Sequence, residues 1–292
     1  MVKASRWTAM GASVRGASHE KNGLNNQDAV RLRNPTGVDD FLVMAIADGH
    51  GSSRSFRSER GSALAAECAV SVLRQFVRRM GPCAPLSQVR RQAKMRWPQA
   101  MISAWKSAVR ADLAESPFSP LDFAAFPEPP PVIKPGGELP SPAYLAYGAT
   151  LVAVAITRRY ILYSQLGDGD ILAIHDGGVV SRPLPRQHEF MSNHTVSLCT
   201  HHAPSKFQIR VDPCRAGGPA MIMLSTDGYA NCFGNEEAFF TVGADLLGYL
   251  RSHGIAMVGE MLEEWLRESS HDGSGDDITV GLATRSGAGF SI

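Results

Sequence analysis

The stretch TLVAVAITRRYILYSQL, residues 150–166, decides the fold. Two runs rich in β-branched and aromatic residues, Thr150 to Ile156 and Tyr160 to Leu166, are joined only by Thr157-Arg158-Arg159, the form of a β-hairpin. Downstream the pattern repeats, as Ile171 to Ile174 turns through His175-Asp176-Gly177-Gly178 into Val179. Such successions imply antiparallel sheets. Phe41 to Ala47, Ala220 to Ser225 and Ile278 to Ala283 are short apolar runs bounded by Gly, Asp or Asn, as buried strands are. Phe207 to Val211 alternates as a half-exposed strand. Helical periodicity marks Ser58 to Met80, Pro98 to Leu113, Glu236 to Arg251 and Ile255 to Glu268. Because these helices are few and grouped, they are expected to cover the outer faces of the sheets in one α+β domain.

The strand tips carry the chemistry. Asp48-Gly49, Asp168-Gly169 and Asp227-Gly228 each close a strongly apolar run, while Asp28 opens Ala29 to Arg33 and Asp276-Asp277 opens Ile278 to Ala283. One Asp-Gly pair is ordinarily a turn. Five carboxylates converging on one edge would repel each other unless a cation neutralised them. Oxygen donors without Cys or His point to Mg²⁺ or Mn²⁺ rather than zinc. Two such ions about 4 Å apart generate hydroxide near neutral pH and clamp a phosphoryl group, which suits phosphoester hydrolysis. His50, between Gly49 and Gly51, is placed to protonate a departing alkoxide.

The rest of the sequence sets bounds. In 292 residues, 29 Lys and Arg face 28 Asp and Glu, so the net charge of +1 steers the chain toward neither nucleic acid nor an anionic membrane. Apolar runs fall well short of the roughly 20 residues that span a bilayer. No apolar leader follows Met1, so a cytoplasmic location is expected. The five cysteines are odd in number and scattered, against a disulfide framework or a zinc site. Cys68 to Arg74 has the bare spacing of a cysteine phosphatase loop, but the intervening Ala-Val-Ser-Val-Leu reads as helix interior. Nine of the eighteen prolines lie between Pro117 and Pro142, marking an insertion at about 115–143, either a passive loop or a lid.

The blocks Asn26-Gln27-Asp28-Ala29, Ala47 to Gly51, Leu166 to Asp170, Ser225 to Tyr229 and Gly275 to Val280 resemble, in order, the motifs of PPM-type (type 2C) metal-dependent protein phosphatases. Gly16-Ala17-Ser18-His19 and Gln27-Asp28-Ala29 are similar to the openings of bacterial members. The resemblance implies a four-layer α/β/β/α sandwich of two antiparallel β-sheets flanked by helices, in a single domain spanning residues 7–286. It further implies that Asp48 bridges two Mn²⁺ or Mg²⁺ ions, that Gly49 offers its carbonyl to one, and that Asp227 and Asp276 hold the other. Asp28 would act through bound water, His50 as proton donor, and Asp168 at a third metal. Three positions depart from the pattern: Gln27 stands for an acidic residue, Gly23 for the phosphate-gripping arginine, and Asn231 for an aspartate serving the third metal. His19 and Lys21 are the candidates to replace the arginine at the phosphate; Arg54 is another basic group that would reach in. The expected function is dephosphorylation of phosphoserine and phosphothreonine proteins by a cytoplasmic monomer, opposite a serine/threonine kinase and with no nucleic-acid or membrane partner. A weakly catalytic phosphoprotein binder and a small-phosphoester hydrolase remain as alternatives.

Overall fold

The computed structural model describes residues 7–36, 39–126, 141–186 and 195–285. The chain runs β1 (Trp7–Val14), α1 (Ala17–Asn22), β2 (Asp28–Arg33), β3 (Leu42–Asp48), α2 (Ser58–Met80), α3 (Leu86–Glu115), α4 (Pro120–Phe123) and α5 (Ser141–Leu145). It continues through β4 (Leu151–Ile156), β5 (Tyr160–Leu166), β6 (Asp170–Ile174), β7 (Val180–Ser181), α6 (Ala203–Lys206) and β8 (Gln208–Pro213). Last come β9 (Met221–Ser225), α7 (Asp227–Ala230), α8 (Glu236–Asp272) and β10 (Ile278–Arg285).

The hairpin of residues 150–166 forms as expected, with Leu151 opposite Leu166 and Ile156 opposite Ile161. It lies within a five-stranded sheet ordered β2-β3-β4-β5-β8, and a second five-stranded sheet is ordered β1-β10-β9-β6-β7. All pairings within the named strands are antiparallel. Three apolar cores separate four layers. Ala65, Ala66 and Ala69 of α2 let that helix lie close on β3 and β4, with α3 beside it. Met44, Ile46, Val154 and Leu224 fill the space between the sheets. Leu246, Leu250, Leu262 and Leu266 pack α8 on the second sheet. The architecture is the four-layer α+β sandwich expected.

Two helical boundaries differ from the sequence reading. α3 starts at Leu86 rather than Pro98 and carries Pro98 inside it. A mid-helix proline removes one hydrogen bond and crowds the preceding turn, at about 3 kcal/mol. Burial of Val89, Ala93, Trp97 and Met101 on the sheet offsets that loss, and the Trp97 indole donates to Ser164 Oγ at 2.6 Å. The helices read as Glu236 to Arg251 and Ile255 to Glu268 form one run, broken where Gly254 takes φ of 79°. Of the Pro-rich insertion, residues 127–140 lie outside the described residues, as does residue 286 at the expected end of the domain. Among the described residues no helix is long and apolar enough to cross a membrane.

Candidate functional site

Antiparallel pairing sets Asp28, the first residue of β2, directly opposite Asp48, the last of β3. Like charges so placed destabilise a sheet. Asp168 lies two residues beyond β5, in the turn that carries the chain from one sheet to the other. Gln165 braces that turn by donating to the carbonyls of Gly167 at 3.2 Å and Gly169 at 2.7 Å. Asp227 opens α7 just past β9, and Asp276 lies two residues before β10. The facing sheets thus bring all five carboxylates to one edge, where Asp48, Asp168 and Asp227 each place an oxygen within 4.8 Å of the others.

Electrostatics follows from that crowding. Burial raises the pKa values of Asp28 and Asp48 well above the ordinary carboxylate range; Asp277 adds to the rise at Asp28, and Asp28 and Asp227 add to it at Asp48. Asp168 and Asp276 are also raised, first by burial and then through Asp227. All the charged donors are carboxylate oxygens, the set that hard divalent cations prefer, and a cation relieves the repulsion that keeps protons on them. The residues therefore fit a divalent metal centre.

A pocket of about 190 Å³ opens over these groups; His19, Gln27, His50, Thr150 and Thr195 are among the residues that line it with the aspartates. The His50 backbone N–H donates to the Gly148 carbonyl at 3.0 Å. A Cβ on Gly148 would lie 2.4 Å from His50 Cδ2, so only glycine leaves room for the imidazole. A Cβ on Gly49 would lie under 3.0 Å from the Gln27 and Ser58 carbonyls.

Residues not singled out in the sequence hold the carboxylates in place. Thr226 donates its hydroxyl to Asp28 Oδ2 at 2.8 Å and accepts the Thr279 N–H at 3.0 Å. Thr195 donates to Asp168 Oδ2 at 2.9 Å. Asp277, 4% exposed, accepts the backbone N–H groups of Gly16 and Gln27, each at 2.6 Å, and meets His19 Nδ1 at 2.9 Å. His19 thus turns one ring nitrogen to Asp277 while lining the pocket, whereas Lys21 is exposed on α1. Arg54 is exposed as well, and neither basic residue lines the pocket.

A family model described as protein phosphatase 2C matches residues 15–267. The chain belongs to the protein phosphatase 2C family. That makes it, by family, a metal-dependent phosphoprotein phosphatase. Among curated proteins no sequence matches it. Solved structures share the fold. The catalytic domain of the serine/threonine protein phosphatase PstP, in complex with two manganese ions, is 16% identical with a TM-score of 0.55, over 96% of this chain and 99% of that one. Stp1 from Staphylococcus aureus is 13% identical with a TM-score of 0.57, over 97% of each chain. RsbX in complex with magnesium is 14% identical with a TM-score of 0.51, over 96% of each chain.

Within this phosphatase 2C chain, the three unusual positions have structural accounts. Gly23 caps α1 in the left-handed region at φ of 68°, a conformation an arginine would strain to adopt. Gln27 stays at the pocket wall with its backbone N–H held by Asp277. Asn231 donates its amide to Asp227 Oδ2 at 3.2 Å, supporting a carboxylate instead of adding one.

Proposed function

We propose that this chain hydrolyses phosphoserine and phosphothreonine in proteins, as a cytoplasmic monomer that opposes a serine/threonine kinase. The observation that carries the reading is the convergence of Asp48, Asp168 and Asp227 oxygens within 4.8 Å in a pocket that His50 also lines. The residues that would hold two Mn²⁺ or Mg²⁺ ions are Asp48, shared between them, the Gly49 carbonyl on one, Asp227 and Asp276 on the other, and Asp28 in an outer position. Asp168, supported by Thr195, is the donor available to a third ion. Bound divalent ions supply activation of water and neutralisation of phosphoryl charge.

The chain's own groups do the remainder. His50, fixed against Gly148, gives its proton to the departing seryl or threonyl oxygen, whose high pKa demands one. His19, anchored through Nδ1 by Asp277, presents its other nitrogen to the substrate phosphate in place of the arginine that Gly23 excludes; Lys21, exposed on the same helix, is the second candidate for that charge. Support for a phosphoprotein substrate comes from the family and from the polar lining of the site. The test compares kcat/KM for a phosphothreonine peptide with that for p-nitrophenyl phosphate in Mn²⁺. Turnover of the peptide is expected; turnover of the small ester alone would make the chain a small-phosphoester hydrolase, and binding of the peptide without turnover a phosphoprotein binder.

A further inference from the structure

Between Glu67 and Asp112 the sequence holds nine Lys and Arg and no acidic residue. These residues fall on the second half of α2 and along α3. The end of α2 and the start of α3 meet at the edge where β3 and β5 begin, seven residues of β3 and so about 20 Å from Asp48. From that edge along α3, Arg79, Arg91, Lys94 and Arg96 are exposed, and their side chains make no ion pair or hydrogen bond with any described residue. The nearby acids are already taken, Asp39 by Arg74 and Arg78, Asp40 by Arg158. The surplus at this end is positive.

A cleft of about 390 Å³ opens in the same place, larger than the pocket over the aspartates. Phe41, Val77, Pro82, Ala84 and Tyr160 form its apolar lining, and the ion pairs of Asp39 with Arg78 and Asp40 with Arg158 line it as well. Tyr160 is 5% exposed, and its phenolic oxygen has no hydrogen-bond partner. Leaving a buried hydroxyl unpaired costs about 1–3 kcal/mol. The apolar lining suits one apolar side chain; the arginines of the cleft are already paired, and the unpaired Arg91 and Lys94 line a neighbouring groove beside Ile209 and Val211 of β8, where flanking carboxylates would meet them.

We propose that this cleft docks an acidic segment of a partner protein, whose apolar anchor side chain enters over Tyr160 while its carboxylates meet Arg79, Arg91 and Lys94. A lipid surface fits less well, because the apolar lining is recessed, and Met95 is the single exposed large apolar residue of α2 and α3. Docking there holds a partner at the end of the sandwich opposite the aspartates, so it adds affinity without occupying the hydrolytic pocket.

The test uses the full chain and a fluorescein-labelled peptide with Asp and Glu on both sides of one phenylalanine, read by anisotropy at low salt. Saturable binding is expected. Replacing the peptide's phenylalanine by alanine should weaken it about tenfold. So should Ala84→Trp, which fills the cleft, and the combined Arg79→Glu, Arg91→Glu and Lys94→Glu. Turnover of p-nitrophenyl phosphate should be unchanged in all variants, which also reports that they fold. Absence of binding, equal binding of the alanine peptide, or full binding by the Ala84→Trp chain would overturn the proposal. So would co-sedimentation with phosphatidylserine vesicles that the charge reversals abolish while the peptide stays unbound, since that makes the patch a membrane surface.

Discussion

Two aspartates facing each other across β2 and β3 are tolerable only if something relieves them, and pH and metal are the two means. Asp28, Asp48, Asp168 and Asp276 have raised pKa values, so between the ordinary carboxylate range and those raised values the folded chain binds more protons than the unfolded one. Stability of the metal-free protein therefore falls as pH rises through that window, and a melting temperature measured in EDTA should drop as pH is raised above the ordinary carboxylate range. Mn²⁺ favours the ionised forms, so its stabilising increment should grow over the same range; an increment independent of pH would contradict the assignment. Asp277 tests the support beneath the ligands. Asp277→Asn loses the charge that orients His19 and should lower activity or metal affinity about 10–100-fold, seen as a raised KM and a weaker Mn²⁺ response. Gly148→Ala should displace His50 and slow an alkyl phosphate far more than p-nitrophenyl phosphate, whose leaving group needs no proton. The five aspartates and His50 were legible in the sequence because each stands beside a glycine or at the tip of an apolar run. Thr226, Gly148 and Asp277 were not legible as supports. Their partners Asp28, His50 and Gly16 lie far away in sequence, and only the packed sheets bring them together.

Among the elements, α2 has its limits set by one glycine. A Cβ on Gly61 would come within 1.9 Å of the Tyr147 carbonyl, a backbone atom that cannot swing aside. Gly61→Ala should therefore destabilise by about 3 kcal/mol despite the better helix propensity of alanine, read from the urea midpoint. The same close approach lets Trp105 Nε1 donate to the Gly61 carbonyl at 3.1 Å, tying α3 to α2. Most strands and α2 follow from period and composition. β1 did not, because Thr8 to Val14 is rich in Ala, Gly and Ser and lacks a β-branched run. Its place comes from β10, where Gly11 lies opposite Gly281 and their small size lets the strands and the facing sheet approach. The start of α3 was missed for the converse reason, since local proline chemistry argues for a boundary that burial of Trp97 and Met101 overrides.

For the molecule as a whole, a net charge of +1 conceals separation of charge. Aspartates crowd one end of the sandwich, and unpaired cations run from the end of α2 along α3, away from that end. The acidic end should repel phosphate until divalent cations reverse its sign, which makes metal dependence the central claim. The most direct measurement is hydrolysis of a phosphothreonine peptide as Mn²⁺ is titrated into metal-free protein, with Asp48→Asn and Asp227→Asn alongside. Activity should rise saturably with Mn²⁺, vanish in EDTA, and fall at least about 100-fold in both variants. Turnover that persists in EDTA, or survives in either variant, would contradict the account.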